Sequence, residues 1–168
     1  LSKLQSNTEH INFEDVNLVQ LVIDILKRYE VYSELEDYRF ILKYNCDEIM
    51  IKADKKRIEQ VIYNLVNNAI NYTGDDNTVK VNVLDNDDNI KVEIIDSGKG
   101  IKESDIPYIW DRYYKNKKEH KRNLIGTGLG LSIVKSILEL HNYKYGVKSE
   151  ENVGSNFYFI IEKEKTFE

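Results

Sequence analysis

Two glycine clusters separated by a basic loop mark the chemistry of this chain. The first, Asp96-Ser97-Gly98-Lys99-Gly100-Ile101, is headed by an acid. The second, Gly126-Thr127-Gly128-Leu129-Gly130-Leu131, runs into the helical pattern Leu129, Ile133, Val134, Ile137 and Leu138. Between them lie Arg112, Lys115, Lys117, Lys118, Lys121 and Arg122. Glycine lets backbone amides approach a phosphate closely, and a helix N-terminus offers unpaired amides and a positive dipole end. Together these pieces predict a pocket for a phosphate-bearing ligand. The second cluster reads G-x-G-x-G and no Gly-Lys-Ser or Gly-Lys-Thr occurs, which disfavours the dinucleotide fingerprint and the Walker-type loop. Each cluster alone is equally compatible with a turn and a helix cap; their pairing, with an acid heading the first, carries the reading.

Asn64, Asn68 and Asn71 form a third group, at spacings of four and three on a predicted helix. Their amides share a face beside, and distinct from, the apolar stripe Ile58, Val61, Ile62, Leu65, Val66 and Ala69. Asparagine is a poor helix former, so three on one face cost stability without an evident packing return. A solvated face in an asparagine-rich sequence is the competing reading.

Helices and strands must position these groups. Asn17 predicts an N-cap for a first helix whose face is Leu18, Leu21, Val22, Ile25, Leu26 and Tyr29, and Asp54 caps the asparagine-bearing helix. Tyr38 to Tyr44 and Ile49 to Lys52 are β-prone around the turn residues Asn45-Cys46-Asp47-Glu48, which predicts a hairpin. Val79, Val81 and Val83, then Ile90, Val92 and Ile94, alternate with polar residues around Asp85 to Asn89 and predict a second hairpin that delivers Asp96 to its glycine turn. Ser104 to Pro107 reads as a short helix start. Tyr145 to Ser149 and Ser155 to Ile161 predict a last hairpin turning through Asn152-Val153-Gly154.

Composition bounds the function. At 168 residues and 41% hydrophobic content the chain fits one globular domain. A net charge of -5 argues against nucleic acid as the main partner. Cys46, the single cysteine, excludes an internal disulfide and a cysteine metal cluster and suits a reducing compartment. No apolar run approaches the roughly 20 residues that span a bilayer, so no direct membrane insertion is expected of this stretch. The opening Leu1-Ser2-Lys3-Leu4 reads as the end of a preceding helix, with residues 1–11 as connector and 12–168 as the domain.

In order along the chain stand Asn64-x-x-x-Asn68-Ala69, Asp96-x-Gly98-x-Gly100-Ile101, Ile109-Trp110-Asp111-Arg112-Tyr113-Tyr114-Lys115 and Gly126-Thr127-Gly128-Leu129-Gly130-Leu131. This set resembles the N, G1, F and G2 boxes of bacterial sensor histidine kinases. The resemblance implies the catalytic ATP-binding domain of the gyrase and histidine kinase superfamily: an α/β (α+β) two-layer sandwich, a mixed sheet with about three main helices on one face and an ATP lid between the last two helices. It implies ATP and magnesium as ligands. Asn68 is then the metal ligand, with Asn64 beside it; Asn71 and Tyr72 lie along the same helix toward the nucleotide. A hard cation prefers oxygen ligands, and an amide supplies one without charge that would repel a triphosphate. Asp96 reads the exocyclic amine of adenine, Gly98 and Gly100 leave room for the ring, Ile101 belongs to the same ATP-binding cluster, and Ser155 assists through a water. Arg112, Tyr113 and Lys115 belong to the lid, Lys115 contacting the γ-phosphate, and amides from Gly126, Thr127, Gly128, Leu129, Gly130 and Leu131 hold the phosphates.

The same resemblance implies the reaction. In gyrase-like ATPases a glutamate four residues before the magnesium asparagine activates water; here that place is Asn64, an amide that cannot act as a base. Transfer of the γ-phosphoryl group to a histidine on another domain is implied instead, with Asn64 and Lys115 as the catalytic residues. None of His10, His120 and His141 has the His-Glu context of a phosphoacceptor, so that histidine is expected outside this chain, on an upstream dimerisation domain. The implied partners are that domain and a cognate response regulator; the implied location is cytoplasmic, in a protein anchored in the cell membrane elsewhere. The chain departs from the family pattern at Asn71, where many relatives carry a cation, at Lys115, where arginine is common, and at Asn142-Tyr143, where Gly-Gly often follows the histidine. Competing readings are an anti-sigma serine kinase or switch protein, a gyrase-type hydrolase and a degenerate nucleotide sensor. Upstream sequence, phosphate release and nucleotide binding, respectively, discriminate them.

Overall fold

The computed structural model describes residues 10–111 and 130–164. The expected preceding helix end, His120, the lid and the site residues Arg112, Tyr113, Lys115, Gly126, Thr127, Gly128 and Leu129 lie outside the described residues. In chain order the elements are β1 (Glu14–Asn17), α1 (Leu18–Lys27), α2 (Glu30–Leu35), β2 (Arg39–Tyr44), β3 (Met50–Ala53), α3 (Lys55–Tyr72), β4 (Thr78–Asp85), β5 (Asn89–Asp96), a 3-10 turn (Ile106–Tyr108), α4 (Gly130–Leu140), β6 (Lys144–Glu150) and β7 (Gly154–Glu162).

Five strands form a mixed sheet in the order β2-β4-β5-β7-β6, parallel only between β2 and β4. The period-2 pattern explains why: Val79, Val81 and Val83 pair with Asp96, Ile94 and Val92 in register, so one face of the sheet is continuously apolar. That face is covered by Leu18, Val22 and Ile25 of α1, Ile58, Ile62 and Leu65 of α3, and Val134 and Leu138 of α4, all in one core cluster. Burying each such side chain is worth about 1.5–3 kcal/mol. The opposite face is polar: Glu93 accepts from the amides of Asn82 and Asn156, and the Lys91 ammonium sits 4.8 Å from the centre of the Tyr158 ring. The result is the expected two-layer sandwich.

The hairpin expected over residues 38–52 does not form. β2 pairs in parallel with β4, while β3 pairs antiparallel with β1 in a separate two-stranded ribbon. Asn45 explains the divergence. Its side chain donates to the Asp85 carbonyl at 2.9 Å and accepts the Asp85 N–H at 2.7 Å, tying the end of β2 to the end of β4. The turn residues therefore clamp a distant strand rather than reversing the chain.

The other signals hold. Asn17 accepts from the Gln20 N–H and starts α1; the helix ends at Lys27, yet Tyr29 stays buried beyond it. Asp54 caps α3 through the Arg57 N–H at 3.3 Å and also accepts from the Asn12 N–H at 3.2 Å. The N–H of Asp54 itself donates to Nε2 of His141 at 3.1 Å, whose Nδ1 donates to the Ile137 carbonyl at 2.8 Å. Burial pushes the His141 imidazole below its ordinary pKa, against the pull of the Ile137 carbonyl and the Asp54 charge. Asp54→Ala is expected to cost about 1 kcal/mol of stability in a urea titration, the usual value of an N-cap. Beyond α4, Asn142 takes a left-handed φ of 59°, and the Tyr143 N–H closes on the Leu138 carbonyl at 3.0 Å. Asparagine tolerates this conformation, so the turn closes without the glycines that the family pattern carries there. Trp110 packs edge-on against Tyr145, with ring centres 5.0 Å apart, and against Phe157 at 5.7 Å. Among the described residues no helix is long and apolar enough to cross a membrane.

Candidate functional site

The site begins at the last residue of β5. Asp96 pairs with Ser155 of β7, and Ser155 pairs with Ser149 of β6, so the three side chains form one row on the helix-facing side of the sheet. Asp96 is only 5% exposed and Ser155 6%. One Asp96 oxygen accepts from the Gly98 N–H at 2.9 Å. Burial nevertheless pushes this carboxyl up to about 6, overriding the main-chain N–H groups of Gly98 and Ser155, with the charge of Asp76 adding a little. A buried acid that is still ionised at neutral pH, with acceptor capacity left over, suits recognition of a donor on a planar ligand.

The loop after Asp96 is fixed from two sides. A Cβ on Gly98 would lie 1.8 Å from the Tyr72 carbonyl oxygen at the end of α3. Gly100 has a φ of 72°, and a Cβ there would lie 2.2 Å from the Glu150 carbonyl. These contacts give the glycines a reason of their own, the close approach of three backbone segments, independent of the room expected for a ring. On the β6–β7 side the Lys99 carbonyl accepts from the Asn152 N–H at 2.7 Å, and the Ile101 N–H donates to the Ser149 hydroxyl at 2.8 Å. On the α3 side the hydroxyl of Thr73 accepts from the Ser97 N–H and donates to the Thr78 carbonyl, while Ser97 donates to Asp76.

The asparagine face leads to a second cluster. Asn64 Nδ2 stands 3.5 Å from the carbonyl oxygen of Gly130, the first residue of α4. Asn68 and Asn71 are half-buried on the following turns, and Tyr72 is 43% exposed, meeting the Asp96 loop through its carbonyl rather than its ring. Leu131 packs on the core. The structure thus joins Asp96, Gly98, Gly100, Ile101 and Ser155 to the end of α3, and Asn64 to Gly130. The two clusters are separated along α3 by about 12 Å for eight residues, which suits a ligand with chemically different ends.

Sequence reasoning missed Thr73, Ser97 and Ser149. Ser149 had a usable signal: the hairpin centred on Asn152 places it opposite Ser155. For Thr73 and Ser97 no local pattern pointed to their meeting.

The catalytic domain of histidine kinase ThkA superposes with a TM-score of 0.78 at 31% identity, over 90% of this chain and 96% of that one. The model of the histidine kinase-, DNA gyrase B-, and HSP90-like ATPase family matches residues 53–165, well over half of the chain. The chain belongs to the histidine kinase catalytic domains of this ATPase family. Among curated relatives, heme sensor protein HssS of Staphylococcus haemolyticus is 33% identical over 94% of the chain, and sensor histidine kinase WalK of Bacillus subtilis 29% over 96%. The chain spans 33% of the length of HssS and 26% of WalK. ThkA in complex with response regulator protein TrrA is also similar, with a TM-score of 0.78 at 26% identity over 97% of this chain and 46% of that one.

Proposed function

We propose that this domain binds magnesium-ATP and transfers the γ-phosphoryl group to a histidine on a separate dimerisation domain, for relay to a response regulator. The observation that carries the reading is Asp96, a carboxylate buried at the sheet's end beside backbone donors. It accepts the exocyclic amine of adenine, with Ser155 beside it. Asn68, with Asn64 beside it, would offer an amide oxygen to magnesium. The ion would neutralise charge on the phosphates. Asn71 and Tyr72 line the nucleotide, and the N-terminal amides of α4, from Gly130 and Leu131 with Gly126 to Leu129 before them, face the phosphates. Arg112, Tyr113 and Lys115 close over them, Lys115 neutralising the γ-phosphate.

In the transfer the bond from the γ-phosphorus to the bridging oxygen breaks, ADP leaves with that oxygen, and a bond forms to the unprotonated nitrogen of an imidazole, whose other ring nitrogen then releases its proton to solvent. Asn64 cannot activate water as a carboxylate would, which favours transfer over hydrolysis. His141 is excluded as acceptor because it is buried with both ring nitrogens hydrogen-bonded. The ThkA complex with TrrA supports the response regulator as partner. The protein that carries this domain is proposed to present it to the cytoplasm and to be anchored in the cell membrane elsewhere.

Calorimetric titration with a non-hydrolysable ATP analogue, with and without magnesium, tests binding, and a histidine-bearing dimerisation domain supplied in trans tests transfer. Saturable, magnesium-strengthened binding and a phosphorylated histidine are expected. Phosphate release without a phosphorylated histidine would overturn transfer. Asn68→Asp is expected to weaken magnesium-ATP binding about tenfold, because a half-buried added charge beside the phosphates costs roughly 1–2 kcal/mol. Unchanged affinity would remove Asn68 from the metal site.

A further inference from the structure

Ser149 sits at a three-way junction. Its hydroxyl oxygen is 2.8 Å from the Ile101 nitrogen, 3.0 Å from the Gly154 carbonyl oxygen and 2.8 Å from the hydroxyl of Ser155. The Ile101 N–H can only donate and the Gly154 carbonyl can only accept. Ser149 has one hydrogen, so a single assignment makes a bond of all three contacts. Ser149 donates to Gly154, accepts from Ile101 and accepts from Ser155. The hydrogen of Ser155 is thereby taken up by Ser149, and the Ser155 oxygen is left with lone pairs alone.

We propose that Ser149 is a specificity-determining positioning residue that holds Ser155 as an acceptor beside Asp96 and so makes the base pocket selective for adenine over guanine. The inference rests on the adenine-site reading above. Asp96 and Ser155 are neighbours in register across β5 and β7, so the row presents two acceptors side by side. Adenine meets such a pair with an exocyclic amine, which has two hydrogens; guanine places a carbonyl oxygen at the same position, facing acceptors with an acceptor. The same hydroxyl anchors Ile101, the last residue of the first glycine cluster, so base polarity and loop position depend on one atom.

Ser149→Ala frees the Ser155 hydrogen to turn into the pocket, whereas Ser149→Thr keeps the oxygen on a residue suited to a strand. In the full chain, ATP and GTP affinities are measured by calorimetry for wild type and both variants, alongside hydrogen exchange of the Ile101 amide without nucleotide. Ser149→Ala is expected to lower the ATP-over-GTP preference about five- to tenfold and to speed Ile101 exchange, with Ser149→Thr within about twofold of wild type. A variant that merely loosened the fold would weaken both nucleotides together and leave their ratio unchanged. An unchanged ratio in Ser149→Ala, with wild type binding ATP, overturns this inference alone. Failure of the wild type to bind ATP overturns the adenine-site reading and this inference with it.

Discussion

Asp96→Asn is expected to make the protein more stable at neutral pH and nearly blind to adenine. In the wild type, burial moves this carboxyl from an ordinary 3.8 to about 6, so keeping it ionised above that range costs the fold about 2–3 kcal/mol. The folded chain holds the proton more tightly than the unfolded chain. Stability contributed by the protonated group is therefore present below about pH 4, declines as pH rises to about 6, and then levels off. The asparagine has no charge to desolvate, although its amide hydrogens meet the main-chain donors that the carboxylate accepted from. A net gain of about 1–2 kcal/mol near pH 7.5, vanishing near pH 4, is expected in urea unfolding. Affinity for ATP falls about a hundredfold, because a charge-assisted acceptor for the adenine amine is lost and a donor stands in its place. A variant that is less stable at neutral pH and binds ATP normally would refute both halves of the assignment. A stabilising substitution that destroys binding is what a strained, functional acid predicts.

Gly98→Ala carries the largest structural penalty expected here. The added methyl would sit 1.8 Å from the Tyr72 carbonyl oxygen, and neither partner is the end of a flexible side chain. Either the end of α3 or the Asp96 loop must move, at about 3 kcal/mol or more, which lowers the melting temperature by roughly 10 °C in a domain of this size. Gly130→Ala is the control, since its methyl would lie 3.9 Å from Asn64, an ordinary contact. Its stability is expected to stay within about 0.5 kcal/mol of wild type. Equal losses in the two variants, read by calorimetric melting, would show that the first cluster is not held by backbone contact with α3.

What was legible in the sequence had local causes. The caps at Asn17 and Asp54, the alternation in β4 and β5 and the turn at Asn152 each rest on neighbouring residues, and each stands in the fold. The box motifs were legible because a ligand constrains residue type at fixed spacing. Partner choice was not legible. β2 and β3 are short, with a polar turn between them, and nothing within residues 38–52 says that one strand joins β4 and the other β1. That choice is made by Asp85, forty residues away, through Asn45. The purpose of Gly98 was equally hidden, because the Tyr72 carbonyl it accommodates is backbone and leaves no trace in residue type.

Trp110 is the chain's single tryptophan, and its indole packs edge-on against both Tyr145 and Phe157. The protein therefore contains one indole fluorophore besides its 12 tyrosines, and its ring partners belong to β6 and β7, the strands that also carry Ser149 and Ser155. Its emission spectrum reports on one place only. Loosening of that packing admits water to the indole and shifts the emission to the red, so unfolding curves and nucleotide titrations can be followed optically without attaching a dye.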